Sequence, residues 1–244
     1  MTYKILDIKN LNKNFYDKQV LDDINFAITS GQICALVGLN GIGKTTIIKS
    51  ILGIIFPDSG SILIKNNDYK NYSSRDDIFY LPEKFAPNPN LTAREYINFV
   101  LSFYKVELNN DKLNKLIKDF NLPENFLTSR IGKYSKGMTQ KLGLIAMVLS
   151  NRNLWILDEP TSGLDPMGRY ELKKVLLNHA KNGGSILFSS HILSDVEEIS
   201  DQVVILHNTK IMYDGTASDL KLKYNTQNCE EAFMKLCGYE LEFK

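Results

Sequence analysis

Residues 38–46 read GLNGIGKTT. The pattern G-x-x-x-x-G-K-[ST] is a phosphate-binding loop when a strand precedes it and a helix follows. Both flanks are present: ICALVG (33–38) is continuously apolar, as a strand buried on two faces should be, and TTIIKSILGII follows with helical character. Gly41 and Gly43 let backbone N–H groups turn inward around phosphate oxygens, and the helix N-terminus adds its positive dipole. Lys44 is placed to reach the β- and γ-phosphates, and the Thr45 hydroxyl to hold Mg²⁺. The nucleotide contacts expected from this loop are Gly38, Asn40, Gly41, Gly43, Lys44, Thr45 and Thr46.

A metal-bound triphosphate also needs a carboxylate at the end of a neighbouring strand. LWILDEP (154–160) offers two. Asp158 ends the apolar run and suits Mg²⁺, through water. Glu159 would face the γ-phosphate and act as general base for the attacking water. His191, in SSHIL, terminates another apolar strand and can reach the same pocket from the other side. His179 and His207 have no such setting and read as solvent or packing residues. A second loop, YSKGMTQ (134–140), has the composition of an anion site, with Ser135 placed to cap the helix that runs to Leu149. Why one chain should carry two such loops is the question it raises.

The surrounding elements follow from periodicity. Residues 3–9 and 20–28 alternate apolar and polar, as half-exposed strands do, and 61–65 read as a further strand. Thr92 with Glu95 makes a capping box, with Leu91 and Tyr96 as its hydrophobic staple. Leu113, Leu116, Ile117 and Phe120 lie on one helical face. LWIL and SILFSS are buried strands separated by a helix near 167–181, and Ser194 with Glu197 is expected to form a second capping box. VVILHN and KIMYDG predict a hairpin turning at Asn208-Thr209, followed by a short helical tail from about 218. The fold class is therefore α/β: a nucleotide-binding core interrupted by a helical insertion.

Composition bounds the partners. Of 244 residues, 29 are basic and 28 acidic, so no broad nucleic-acid-binding face is expected. Cys34, Cys229 and Cys237 have no metal-ligand spacing and read as reduced, structural thiols. The N-terminus lacks the apolar core of a signal peptide. No apolar run approaches the roughly 20 residues that span a bilayer, so the chain is expected to be soluble alone and to reach a membrane through a partner.

Taken together, these motifs resemble the nucleotide-binding subunit of an ABC transporter, over nearly the whole chain to about residue 220. GLNGIGKTT resembles the Walker A loop, LWILDE the Walker B strand, SGLD (162–165) the D-loop with Asp165, His191 the switch histidine, and YSKGMTQ the signature usually written LSGGQ. The resemblance implies a P-loop NTPase core with a mixed sheet, an antiparallel β subdomain and an inserted α-helical subdomain. It implies one ABC ATPase domain over 1–244: core 1–83 and 153–220, helical subdomain 84–152 and tail 221–244. It also answers the question of the second loop. Ser135 and the Gly137 amide would clamp the γ-phosphate of ATP held by another subunit, so that two ATP are sandwiched between two subunits.

The departures from the family pattern are Tyr134, Lys136 and Met138 in the signature, and Glu83 in YLPEK where Gln is usual. Lys136 is expected to add a charge next to the partner's phosphate, and Glu83 to ligate Mg²⁺. Asn208-Thr209, where a Gly is common, concerns only a turn. Family alignment places Phe15 on the adenine ring, with Tyr16 in reserve. The branch resembled pairs with a separately encoded six-helix permease and is chiefly an exporter branch. That places the chain on the cytoplasmic side of the cell membrane, with ATP and Mg²⁺ as cofactors, a permease and a second ATPase subunit as partners, and no direct nucleic acid. The alternative is a soluble ABC ATPase acting on ribosomes, DNA or sulfur-cluster assembly.

Overall fold

The computed structural model describes residues 3–239. Residues 1–2 of the expected first strand and 240–244 of the expected tail lie outside the described residues. Two sheets organise the chain. The first is antiparallel, in the order β2 (Lys18–Thr29), β1 (Lys4–Phe15), β4 (Ser59–Ile64), β5 (Asn67–Asp68). The second has six strands, in the order β10 (Lys210–Gly215), β9 (Gln202–His207), β3 (Ile33–Val37), β8 (Ser185–Ser190), β7 (Leu154–Asp158), β6 (Ile78–Leu81). All its pairings are parallel except β9 with β10, which makes it mixed.

Side chains along a strand alternate between faces, and here that alternation divides two cores. Cys34, Leu36, Leu154, Ile156, Leu187, Val204 and Leu206 face the antiparallel sheet and the helix α1 (Lys44–Ile51), where Ile47, Ile48 and Ile51 meet them. Ile33, Ala35, Val37, Trp155, Leu157, Ile186, Phe188, Val203 and Ile205 face the other way. On that side lie the helical insertion, α5 (Pro166–Lys181), α6 (Leu193–Ile199), α7 (Ala217–Tyr224) and α8 (Cys229–Leu236). A sheet covered on both faces requires strands apolar at every position, which is why ICALV and LWIL show no period-two pattern.

The insertion holds α2 (Ala93–Tyr104), α3 (Asn110–Asp119) and α4 (Lys136–Leu149). The Thr92–Glu95 capping box is formed in both directions. Leu113, Leu116 and Phe120 are buried, as their spacing requires. Ser135 caps α4, its Oγ accepting from the Met138 N–H at 3.2 Å. The hairpin turn at Asn208 and Thr209 has φ of 46° and 67°, the two positive values a two-residue hairpin turn demands.

Two expectations need correction. Ser194 and Glu197 form no capping box: α6 begins after Ile192 with no side-chain cap. The chain turns one step earlier, where Ser190 Oγ accepts from the Ile192 N–H at 3.0 Å. Glu197 instead reaches outward to Lys221 and accepts from the Cys229 N–H, pinning the C-terminal helices. The first two strands are also longer than their alternating stretches, because register shifts in the β1–β2 pairing break the alternation while the ladder continues. Strand β6 carries too short an apolar run to stand out in the sequence. Among the described residues, no helix is long and apolar enough to cross a membrane.

Candidate functional site

Four parallel strands end at one edge, and the candidate residues follow directly. Val37 pairs with Ser190, Asp158 with Ser189, and Leu81 with Leu157. Residues 38–46 leave β3, Asp158 ends β7 with Glu159 next to it, His191 follows β8, and Glu83 lies two residues past β6. In open α/β sheets this carboxyl edge is where ligands bind.

A cavity of about 350 Å³ is lined by Leu39, Asn40, Gly41, Gly43, Lys44, Thr45, Thr46, Glu83, Lys84, Asp158 and Glu159. Gly43 has φ 123°, a conformation closed to side chains, and a Cβ there would press on Val20 and Leu21. Gly38 lies outside the lining. A Cβ on it would come 2.6 Å from the Leu206 carbonyl oxygen, so it packs the loop against β9.

The charged groups form one connected set. Lys44 is buried, donates to the carbonyls of Gly38 at 2.7 Å and Leu39 at 3.3 Å, and has Glu159 Oε1 3.3 Å from its ammonium. That approach is an ion pair without hydrogen-bond geometry, and Glu159 Oε1 has no hydrogen-bond partner. The other oxygen, Oε2, lies 2.8 Å from His191 Nδ1. Thr45 Oγ1 donates to Asp158 Oδ2 at 2.9 Å. Glu159 itself sits at φ 50°, in the left-handed region, a strain of order 1–3 kcal/mol that such sites commonly store. Tyr80 of β6 marks the same edge: its phenol is pushed up to about 12, first by burial and then by the carboxylates of Asp158 and Glu83.

Ser189 is a residue that the motifs did not single out. Its Oγ donates to Asp158 Oδ1 at 2.6 Å and accepts from the Glu159 N–H at 2.9 Å, so one hydroxyl orients both acids. The available signal was the pair of serines that ends the apolar run SILFSS. Removing the hydroxyl in Ser189→Ala leaves two buried polar groups short of a partner. It should lower unfolding stability by about 1–3 kcal/mol, read by thermal unfolding. An unchanged melting temperature would show that Thr45 alone holds Asp158.

The cavity fits a nucleotide with a divalent cation. Lys44 and the loop amides meet anionic oxygen, and Thr45, Asp158 and Glu83 offer the hard oxygen ligands that Mg²⁺ takes. Among the described residues, no three His, Cys, Asp or Glu side chains converge into a metal cage, so phosphate oxygens and water would have to complete the coordination. Phe15 is not in the lining. It ends β1, partly exposed, with the Lys13 ammonium 5.4 Å from its ring centre, and Tyr16 beside it is wholly exposed.

Ser135 and Gly137 lie in a different cavity, with Lys136, Met138, Lys141, Gly163, Asp165 and residues 121–123. It shares no lining residue with the first. Asp165 caps α5, accepting from the Gly168 N–H at 2.6 Å. Lys136 is exposed at this cavity, and its ammonium donates to Ser162 Oγ at 3.1 Å. A larger hollow near Trp155 and His179 lies elsewhere. Its Lys112 and Arg152 already serve chain carbonyls, and His179 stacks on Trp155 with ring centres 3.5 Å apart.

Known proteins agree with this geometry. The family described as ABC transporter matches residues 21–162. The ABC-type transporter ATP-binding protein EcsA of Bacillus subtilis is 32% identical over 228 residues, covering 92% of this chain and 92% of the relative. The lantibiotic transport ATP-binding protein SrtF of Streptococcus pyogenes is 33% identical over 230 residues, covering 91% and 97%. A solved structure of an ATP binding subunit of an ABC transporter superposes with a TM-score of 0.86 at 32% identity, covering 95% of this chain and 99% of that one.

Proposed function

Because the chain belongs to the ABC transporter family, as its ATP-binding and ATP-hydrolysing subunit, we propose that it works in pairs, closing on two ATP to drive a separate membrane permease. The observation that carries this reading is the separation of the two loops. The phosphate loop and the acids line one cavity, and Ser135 and Gly137 line another that shares none of their residues. A second subunit brings a signature turn to each phosphate loop. Ser135 Oγ accepts from the Met138 N–H, which leaves its own hydrogen to donate to a partner-held phosphate.

In the closed pair, the amides of 38–46 and Lys44 hold the β- and γ-phosphates, with Asn40 and Thr46 at the cavity wall. Thr45 and Glu83, with Asp158 through water, would hold Mg²⁺, and the bound metal would supply positive charge against the phosphates. Lys44 Nζ carries three N–H donors, so on ATP entry the ammonium can turn from Glu159 and the loop carbonyls toward the phosphates. Glu159, freed and steered by His191 through Oε2, takes a proton from water aimed at the γ-phosphorus. Phe15, with Tyr16 in reserve, offers a ring face to adenine. Replacement of the Glu83 carboxylate by an amide keeps one oxygen ligand, so Glu83→Gln should retain ATPase activity within about three-fold, a small change beside loss of a catalytic group. Total loss in a steady-state assay would give that carboxylate a role of its own.

The permease contact should lie between the core and residues about 84–105. There α2 exposes Phe99 and Phe103, packed edge-to-face with ring centres 4.8 Å apart. We take the direction to be export, from the cytoplasmic side of the cell membrane; SrtF, described as a lantibiotic transport ATP-binding protein, supports the transport part of that reading. The core would span 1–83 and 153–220, the helical subdomain 84–152 and the tail 221–244. The test is a pull-down of the tagged chain from detergent-solubilised native membranes. A polytopic protein of about six spans, the length class that bilayer-crossing helices set, is the expected companion. Ribosomal, DNA-repair or sulfur-assembly proteins instead would leave the ATPase standing and sink the transport reading.

A further inference from the structure

The start of α4 is fastened to residues 160–165, the segment joining Glu159 to α5. Gln140 Nε2 donates to the Pro160 carbonyl at 3.2 Å, and Lys141 Nζ meets Asp165 Oδ2 at 3.4 Å. Between these, Lys136 crosses over Gly163. A Cβ on Gly163 would lie 3.0–3.1 Å from Lys136 Cγ, Cδ and Cε, so the lysine stem covers the bare backbone there. The ammonium then donates to Ser162 Oγ at 3.1 Å. On the other side, a Cβ on Gly137 would come 2.9 Å from the Gly163 carbonyl oxygen. Glycine at 137 and 163 thus lets the two segments touch, and Lys136 holds them closed. Most of its length makes apolar contact with backbone, and only its tip makes a hydrogen bond.

We propose that Lys136 is a positioning residue that joins the Ser135–Gly137 turn to the 162–165 turn as one rigid piece, so that both reach the neighbouring subunit's nucleotide site in fixed register. The inference rests on the two-subunit reading for its consequence, but the clasp lies within one chain. Its ammonium is engaged within the chain by Ser162 Oγ, so the clasp acts on the alignment of the two turns and its loss should fall on the catalytic step. Loosening the clasp lets the two turns arrive independently. Small misplacements of this kind are costly when reacting groups must be aligned.

The test is a double-mutant cycle on steady-state ATPase activity of the purified full chain, with Lys136→Met, Ser162→Ala and the pair. Lys136→Met keeps the stem and removes only the charged tip. Each single change should lower kcat by about five-fold with KM for ATP held within about two-fold, and the double should be no slower than either single, the signature of a shared contact. Lys136→Arg, which keeps a donor, should recover most of the rate. Independent losses that multiply in the double variant would overturn the proposal. So would a raised KM in Lys136→Met with Ser162→Ala silent, the pattern of an ammonium on the phosphates. The two-subunit reading is judged separately, by whether Glu159→Gln sediments as a dimer with ATP. If it does not, that reading falls, while the kcat cycle still decides whether Lys136 and Ser162 act together.

Discussion

Glu159→Gln should bind ATP, hydrolyse it at least about a hundred-fold more slowly, and collect as an ATP-bound dimer, since a positioned general base contributes roughly 10²–10⁴-fold. The geometry argues for a loss confined to chemistry. The amide keeps an oxygen within reach of His191 Nδ1, now 2.8 Å from Glu159 Oε2, and the Glu159 N–H bond to Ser189 Oγ involves only backbone. The φ of 50° at position 159 is also retained, because a neutral isostere places no new demand on the turn. What disappears is a proton acceptor and one negative charge beside the phosphates. A hundred-fold loss corresponds to about 2.7 kcal/mol of transition-state stabilisation. The measurement is single-turnover hydrolysis beside sedimentation with and without ATP. Hydrolysis near the wild-type rate would remove Glu159 from the base role and turn attention to His191.

Lys44→Ala should abolish the stabilisation that nucleotide confers. For the wild-type chain, ATP at about a hundred times its Kd adds about 2.7 kcal/mol by mass action. In a domain of this size that is a rise of roughly 5–11 °C in melting temperature. Two causes combine in the variant. The loop loses the cation that meets the β- and γ-phosphates. Glu159 also loses its buried counter-charge, leaving a carboxylate that is 6% exposed facing an incoming triphosphate. The unliganded variant should itself melt lower for the same reason. A nucleotide-dependent shift equal to that of the wild type would show that the loop amides and helix dipole suffice for binding, and that Lys44 acts only in the hydrolytic step.

The two anion loops differ in how much of their chemistry a linear reading could reach. The contacts of 38–46 are local: glycines, lysine and threonine within nine positions, between an apolar strand and a helix, specify their own cradle. Ser135 was legible as a helix cap for the same reason, since capping involves residues three apart. The misses had non-local causes. Ser194-x-x-Glu197 satisfies the capping pattern, yet Glu197 is taken by Lys221 and the Cys229 N–H, partners some thirty or fewer positions away that no local pattern displays. The Lys136–Ser162 contact is equally out of reach of a linear reading, for the two residues lie 26 positions apart. Ser189 escaped notice because its role depends on which residue of β7 it faces, and strand register across a parallel sheet leaves no mark in the sequence.

The residues alone therefore pointed to the chemistry: a phosphate loop, two acids after an apolar strand, a histidine after another, and a second loop with the composition of an anion turn. They did so because each motif is a short-range backbone device whose partners are its sequence neighbours. The folded chain decided how these pieces are held and shared. Ser189 aligns Asp158 with Glu159, Lys44 waits on Glu159, and Lys136 clasps the segment after it. These are contacts between segments 26 to 115 positions apart. Such contacts are fixed by the register of parallel strands and the packing of α4 on the core, and those are properties of the whole assembly of elements and of no single stretch.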